Sequence, residues 1–393
     1  MKILIVSKCP THPTNAGNRW GILAQAKILE KLGAEVHFLY VEERALNKKR
    51  IAEFDDILDK TSKYWGDKFY HYKIPIWQKV IYNIKKRWFA YLNKRANCDS
   101  FFPNGLIGFV NRIDNKIHFD VCIVNYYYLT KLFKYIHIQK KAVFTHDNYT
   151  YKDIRLGCRP GECDNTADAN EMAKAMQRSP HIFAVQDEEA IFFQQLSPLS
   201  KIYTIYSKYE YKPQPIVNNK NILFLSGNNG YNINGIRWFV RNVFPLIKKQ
   251  YPDAQLIIGG AVCNVIKDLK DIDGIKLLGF IDNLSDFYSL GDIAINPVYQ
   301  GTGLKIKTFE AISYDKVTLV HPHSMAGIYN KSNAPLFSSE NPKEWISFLK
   351  KIWTSPDYIK QIKEHNKKYI QEMNEFIQCE YKKFLSKNEI IKI

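Results

Sequence analysis

Residues 297–311 read Pro-Val-Tyr-Gln-Gly-Thr-Gly-Leu-Lys-Ile-Lys-Thr-Phe-Glu-Ala. The apolar run before them, Asp292-Ile-Ala-Ile-Asn296, predicts a buried strand, and Leu304 to Ser313 carries apolar residues at helical spacing. A strand that feeds a glycine turn and then a helix is the repeating unit of a parallel α/β sheet. Such a turn lets backbone N–H groups around Gly301, Thr302 and Gly303 converge on an anion, and Lys305 and Lys307 add positive charge there. Glu310 follows Lys307 by three residues and so shares roughly its helix face, where a carboxylate suits a vicinal diol such as a ribose. The ligand implied is a nucleoside diphosphate. A glycine turn beside solvated lysines would look the same in isolation; the position after an apolar strand in the second half of an α/β chain is what favours a ligand crevice.

Outward from this junction the chain reads as two α/β series. In the first, Ile3 to Val6, a glycine-containing loop at Thr11 to Arg19, a helix from about Gly21 to Leu32 and the strand Glu35 to Val41 form a βαβ unit. Further strands are expected at Val121 to Asn125, Ala142 to Thr145 and His181 to Val185. The segment Ser207 to Lys220, with two prolines and no helical period, reads as a linker, which gives an N-terminal domain at 1–206. The second series has strands at Ile222 to Ser226, Gln255 to Gly259, Ile275 to Leu278, Asp292 to Asn296 and Thr318 to Val320, giving a C-terminal domain at 221–369. The tail after Pro356 is helical and charged, and its last part, 370–393, is expected to pack back on the N-terminal domain.

At 393 residues the chain is long enough for two full cores, and 46% hydrophobic with 14% aromatic residues argues for folding throughout. Seven scattered cysteines, at 9, 98, 122, 158, 163, 263 and 379, fit a reducing compartment. Cys158 and Cys163 lack the second pair a zinc site needs, and His321 with His323 supply only two ligands, so no metal is expected. The apolar start Ile3 to Val6 is too short for a signal peptide, and no window reaches a membrane span, so a cytoplasmic location is expected.

The net charge of +17 asks for an anionic partner. Between Lys60 and Cys98 ten Lys or Arg stand against one Asp, interleaved with aromatic residues. Trp77, Val80, Ile81, Ile84, Trp88 and Leu92 fall on a helical stripe, with Lys79, Lys85, Lys86 and Arg87 largely off it. Two readings stand: a surface helix whose Trp and Ile pack on the sheet, or an amphipathic helix, within 73–95, that lies on an anionic membrane. No nucleic-acid-binding motif supports a third.

Several landmarks then occur in a known order: Ile222-Leu-Phe-Leu-Ser-Gly-Asn228, Pro252-Asp-Ala-Gln-Leu-Ile-Ile-Gly259, Leu277-Leu-Gly-Phe-Ile281, Asp292-Ile-Ala and Gly301-Thr-Gly-Leu-Lys-Ile-Lys-Thr-Phe-Glu-Ala311. In these the chain resembles glycosyltransferase family 4. The resemblance implies the GT-B fold, two Rossmann-like doubly wound domains facing a central cleft, with a nucleotide-sugar donor of UDP or GDP type on the C-terminal domain and the acceptor on the N-terminal one. It further implies transfer with retention, without a metal and without a cofactor. Carried over by position, Lys305 would neutralise the donor diphosphate, Lys307 would assist it and Glu310 would bind the ribose. Gly301, Thr302 and Gly303, with Leu304 after them, would face donor oxygens. Gly279 and Phe280 would hold the base, and Gly227 and Asn228 would face the leaving phosphate.

In the N-terminal half, Phe144-Thr-His-Asp-Asn148 resembles the place of the family's functional histidine. His146 would hydrogen-bond the transferred sugar and Asp147 would orient it or accept the acceptor's proton, unless the two are a satisfied loop-end pair. Gly17 matches the glycine of the family's first loop, and Arg19 is either an anion-pairing residue or a plain surface arginine. Where many members carry a first glutamate, eight residues before the second, this chain has Thr302. Asp271-Ile-Asp273 spells a metal-binding Asp-x-Asp but reads as a surface turn. The leading expectation is sugar transfer to a lipid-linked or polysaccharide acceptor on the inner face of a bacterial envelope. A nucleotide-sugar 2-epimerase and a catalytically inactive membrane-associated partner are the alternatives.

Overall fold

The computed structural model describes residues 1–14, 17–42, 51–160, 162, 166–301 and 303–386. The chain divides into two compact units: Met1–Ser207 together with the chain from Ile377, and Lys208–Phe376.

The first unit is built on seven parallel strands, β1 (Lys2–Ser7), β2 (Glu35–Glu42), β3 (Phe69–Lys73), β4 (Val121–Asn125), β5 (Lys140–Phe144), β6 (His181–Ala184) and β7 (Lys201–Thr204), in the order β3-β2-β1-β4-β5-β6-β7. The second has six, β8 (Asn221–Leu225), β9 (Gln255–Gly259), β10 (Ile275–Gly279), β11 (Ile293–Asn296), β12 (Val317–Val320) and β13 (Leu336–Ser338), in the order β10-β9-β8-β11-β12-β13. Every pairing is parallel. In each unit the first three strands run outward one way and the fourth crosses to the other side of the first, so each sheet has a switch point, between β1 and β4 and between β8 and β11, where the two flanking connections leave in opposite directions. These are two Rossmann-like α/β units, the fold the sequence implies.

The central strands β4, β11 and β12 are buried along their whole length, as continuous apolar runs require when both faces of a parallel sheet are covered. The strands absent from the sequence reading, β3, β7 and β13, all lie at sheet edges. Half-exposed, they need no apolar run, so Phe69-Tyr-His-Tyr-Lys73 reads as basic-aromatic sequence rather than as strand.

Two expectations change. The first helix runs Gly17–Lys31, four residues earlier than expected at its start, which puts Gly17 and Arg19 in its first turn instead of in a loop. The helix Ile76–Tyr91 turns Gln78, Lys79 and Tyr82 inward and leaves Trp77, Val80, Ile81, Ile84, Trp88 and Leu92 exposed. The reading in which its Trp and Ile residues pack on the sheet is therefore overturned. The inward side is filled by Tyr82, whose ring meets Phe101 edge-on at 5.5 Å and whose hydroxyl accepts from Gln78 Nε2 at 2.9 Å.

The helix Pro356–Leu385 contributes to both units in turn. Its last turns bury Ile377, Tyr381 and Phe384 in the first, where Phe384 packs on Phe183 at 4.8 Å and on Tyr203 at 5.7 Å.

Candidate functional site

At the switch point of the second unit, β8 ends at Leu225 and the chain turns through Ser226 and Gly227 into the helix Gly230–Asn242. Asn229 caps that helix by accepting from the Asn232 backbone N–H, and Asn232 Nδ2 donates to the Gly227 carbonyl at 3.0 Å. The positive end of the helix thus borders a cavity of about 350 Å³, lined among others by Ser226, Gly227, Asn232, Phe280, Lys307 and Glu310.

Lys307 lies on the second helix that meets this cavity, Ile306–Ser313. Its ammonium donates to Ser226 Oγ at 2.8 Å and to Asn232 Oδ1, and sits 5.0 Å from the centre of the Phe224 ring. Burial, and then the neighbouring charge of Lys305, pull its pKa down to about 7. A lysine so placed gains most from an anionic ligand, because a negative charge in the cavity restores the protonated form. Glu310 Oε1 accepts from the Tyr288 hydroxyl at 2.9 Å, and burial raises the Glu310 carboxyl above its ordinary range despite that bond. Tyr288 is itself held by stacking on Tyr314 at 4.6 Å.

The loop before the helix is set by glycines. Gly301 has φ +106 and a Cβ there would come 2.9 Å from the Tyr231 ring; Gly303 has φ +75. His323 Nε2 donates to the Gly301 carbonyl at 2.9 Å and so pins the loop from the next strand's exit. The helix begins at Ile306, two residues later than the spacing predicts, with Lys305, at φ −83 and ψ 69, as its non-helical cap. Lys305 is buried, and its ammonium donates to the Gly303 carbonyl at 3.1 Å. Thr302 lies outside the described residues.

The structure therefore brings Gly227, Phe280, Lys307 and Glu310 of the expected donor set around one cavity. Among the described residues, Asn228, Gly279, Gly301, Gly303, Leu304 and Lys305 are not in its lining. Gly279, with φ +73, accepts from the Gly260 N–H at 2.6 Å and so holds the cavity's floor, while Phe280 projects with 79% of its surface exposed. Sequence reasoning missed Ser226, Asn232, Tyr288, Gly260 and His323. Ser226 stands next to Gly227 in a quoted motif, but nothing local marks Tyr288 as the partner of a residue 22 positions away.

At the switch point of the first unit, His146 follows β5 with φ +62 and donates from Nε2 to Asn125 Oδ1 at 2.7 Å, at the end of β4. Its ring stacks on Tyr126 at 4.4 Å, and burial drives its pKa down to about 3, so the imidazole is neutral with Nδ1 as an acceptor. Arg19, in the first helical turn, donates to the Pro13 carbonyl at 3.4 Å, and its charge partly offsets the burial that pushes the Cys9 thiol up to about 11. Arg19 thus lies by the loop that follows β1, and His146 at the carboxyl ends of β4 and β5. Asp147 pairs with Lys152 at 2.7 Å.

The other flagged groups have structural places. Asp273 is 90% exposed and pairs with Lys248 at 2.8 Å, a surface turn as expected. His321 accepts from the His323 N–H at 3.2 Å. Cys158 is a free thiol, and Cys163 lies outside the described residues. Among the described residues no group of three or more His, Cys, Asp or Glu is placed to hold a metal ion.

Residues 219–355 match the family model for glycosyl transferases group 1. The chain is 22% identical to an uncharacterised 44.6 kDa protein of the cps region of Klebsiella pneumoniae, over 79% of this chain and 80% of that one. Among solved structures it is similar to HepE of Anabaena in complex with UDP (TM-score 0.64, 12% identity, 98% of this chain and 99% of that one). It is also similar to sucrose-phosphate synthase from Thermosynechococcus elongatus (TM-score 0.65, 11% identity, 98% of each). These likenesses establish the GT-B fold, and the matched family segment contains the cavity and its loop.

Proposed function

We propose that the chain is a glycosyltransferase that moves a sugar from a UDP- or GDP-type nucleotide donor to a lipid-linked or polysaccharide acceptor, with retention of configuration. The observation that carries this is Lys307, held by Ser226 and Asn232 at a helix N-terminus with Glu310 one turn on, in a cavity at a sheet switch point. Breaking the bond between a sugar and a nucleoside diphosphate leaves negative charge on the departing phosphate. The Lys307 ammonium and the N–H groups after Gly227 meet that charge, and the Glu310 carboxylate receives the ribose hydroxyls. The cations are the protein's own, so the reading assigns no metal and no cofactor. His146, neutral and with Nδ1 open to accept, faces a sugar hydroxyl, and Asp147 orients it. The UDP in HepE and the cps-region relative support the donor class and a polysaccharide or envelope setting. In this reading the protein works in the cytoplasm, on the inner face of the cell membrane.

The test is a thermal-shift screen with UDP-, GDP-, ADP- and CMP-sugars on the wild type and on Lys307→Met and Lys305→Ala variants. A UDP or GDP sugar should raise the wild-type midpoint and leave Lys307→Met unmoved, and donor turnover should survive EDTA. If no nucleotide binds at millimolar concentration, the reading fails.

A further inference from the structure

The helix Ile76–Tyr91 is inside out. Lys79 is 6% exposed, whereas Trp77 is 64%, Ile84 62% and Trp88 59% exposed. At about 100° per residue, the exposed apolar side chains from Ile76 to Leu92 span an arc of roughly 160°, with Arg87 about 20° inside one margin and Lys85 about 20° beyond the other. Segment 73–95 carries Lys73, Lys79, Lys85, Lys86, Arg87, Lys94 and Arg95 and no acidic residue. Among the described residues no helix is long and apolar enough to cross a membrane. A face of tryptophans and isoleucines bordered by cations matches the boundary between acyl chains and anionic headgroups.

We propose that this face seats the protein on an anionic lipid surface, with Trp77, Ile84 and Trp88 inserted and Lys85 and Arg87 at headgroup level. Charge selects a bilayer over a second copy. A two-fold contact through this helix would set its cations against their own mates with no carboxylate on the segment to offset them.

The surface continues beyond the helix. Arg95 pairs with the buried Asp153 at 2.8 Å and lies over the Tyr151 ring at 4.9 Å, fixing a turn from which Ile154 projects with 63% exposure. The same turn carries Lys152, the partner of Asp147, so the docking face is two ion pairs from the His146 loop. This deepens the reading above, on which it rests for the acceptor: a bilayer held here presents a lipid-linked acceptor to the unit that carries His146.

The test is flotation of the full chain with phosphatidylcholine vesicles, with and without phosphatidylglycerol. The wild type should partition at least about tenfold more strongly onto the anionic vesicles. Trp77→Ser with Trp88→Ser should lower that partition at least about tenfold, and Lys85→Gln with Arg87→Gln by about fivefold per charge. Because these side chains are exposed, both variants should keep the wild-type melting curve. Equal partition to both vesicle types, no partition to either, or a lipid-free dimer that Ile84→Glu dissociates would each overturn the proposal. UDP binding measured on the same samples separates failure of the donor site from failure of docking.

Discussion

Lys307 concentrates the chemistry at the residue scale. Its pKa near 7, set first by burial and then by Lys305, leaves the ligand-free ammonium largely deprotonated at pH 8. A bound diphosphate restores the charge, so binding must take up a proton. Calorimetry at pH 8 in two buffers of different ionisation heat should show net uptake of up to about one proton, and affinity should fall by up to about tenfold per pH unit as the pH rises above about 7. In Lys307→Met both effects should vanish. The sign for stability follows from the same shift. The folded pKa lies below the unfolded lysine value of about 10.5, so the unfolded chain binds more protons between the two, and the ligand-free protein gains stability as pH rises through that window. That Lys307 and Glu310 face one cavity was legible because their spacing fixes a shared helix face. Their partners Ser226, Asn232 and Tyr288 were not, since each comes from another element and only packing brings it near.

At the scale of the element, the cavity depends on the loop after β9. Gly260 has φ +93, and a Cβ there would come 2.3 Å from the Ser226 carbonyl oxygen, a backbone atom with no room to yield. Gly260→Ala should therefore cost about 2–4 kcal/mol in urea denaturation of the second unit and weaken nucleotide binding through the displaced Ser226. A nucleotide affinity unchanged in a stably folded Gly260→Ala protein would separate this loop from the site. Gly260 carries no sequence signal of its own, because its strain arises from contact with a residue 34 positions earlier. The helix Ile76–Tyr91 teaches a related point. Its stripe was readable, but periodicity gives two faces and not which one is inward; Tyr82 packed on Phe101 decides that.

On the scale of the whole molecule, the chain returns at its end to complete the unit with which it began. Phe384 is fully buried against His181, Phe183 and Tyr203, and Lys140 lies 4.6 Å from the centre of its ring. Phe384→Ala should destabilise the first unit by about 3–5 kcal/mol. Hydrogen exchange read by mass spectrometry should show lost protection across β6 and β7, with protection around Trp345 in the second unit retained. Equal loss in both units would mean that they unfold as one.

The sequence by itself determined two doubly wound sheets, through apolar runs of strand length separated by helical periods, and located the turn from β11 into the helix of Lys307, through glycines that only a turn between strand and helix requires. The tertiary structure alone decided that β3, β7 and β13 exist, that the basic helix shows its apolar face to solvent, and that Lys307 is bridged while Lys305 is folded back on its own loop. The first set is written in local spacing. The second depends on which surfaces are left uncovered once the two sheets have formed, and no window of sequence contains that.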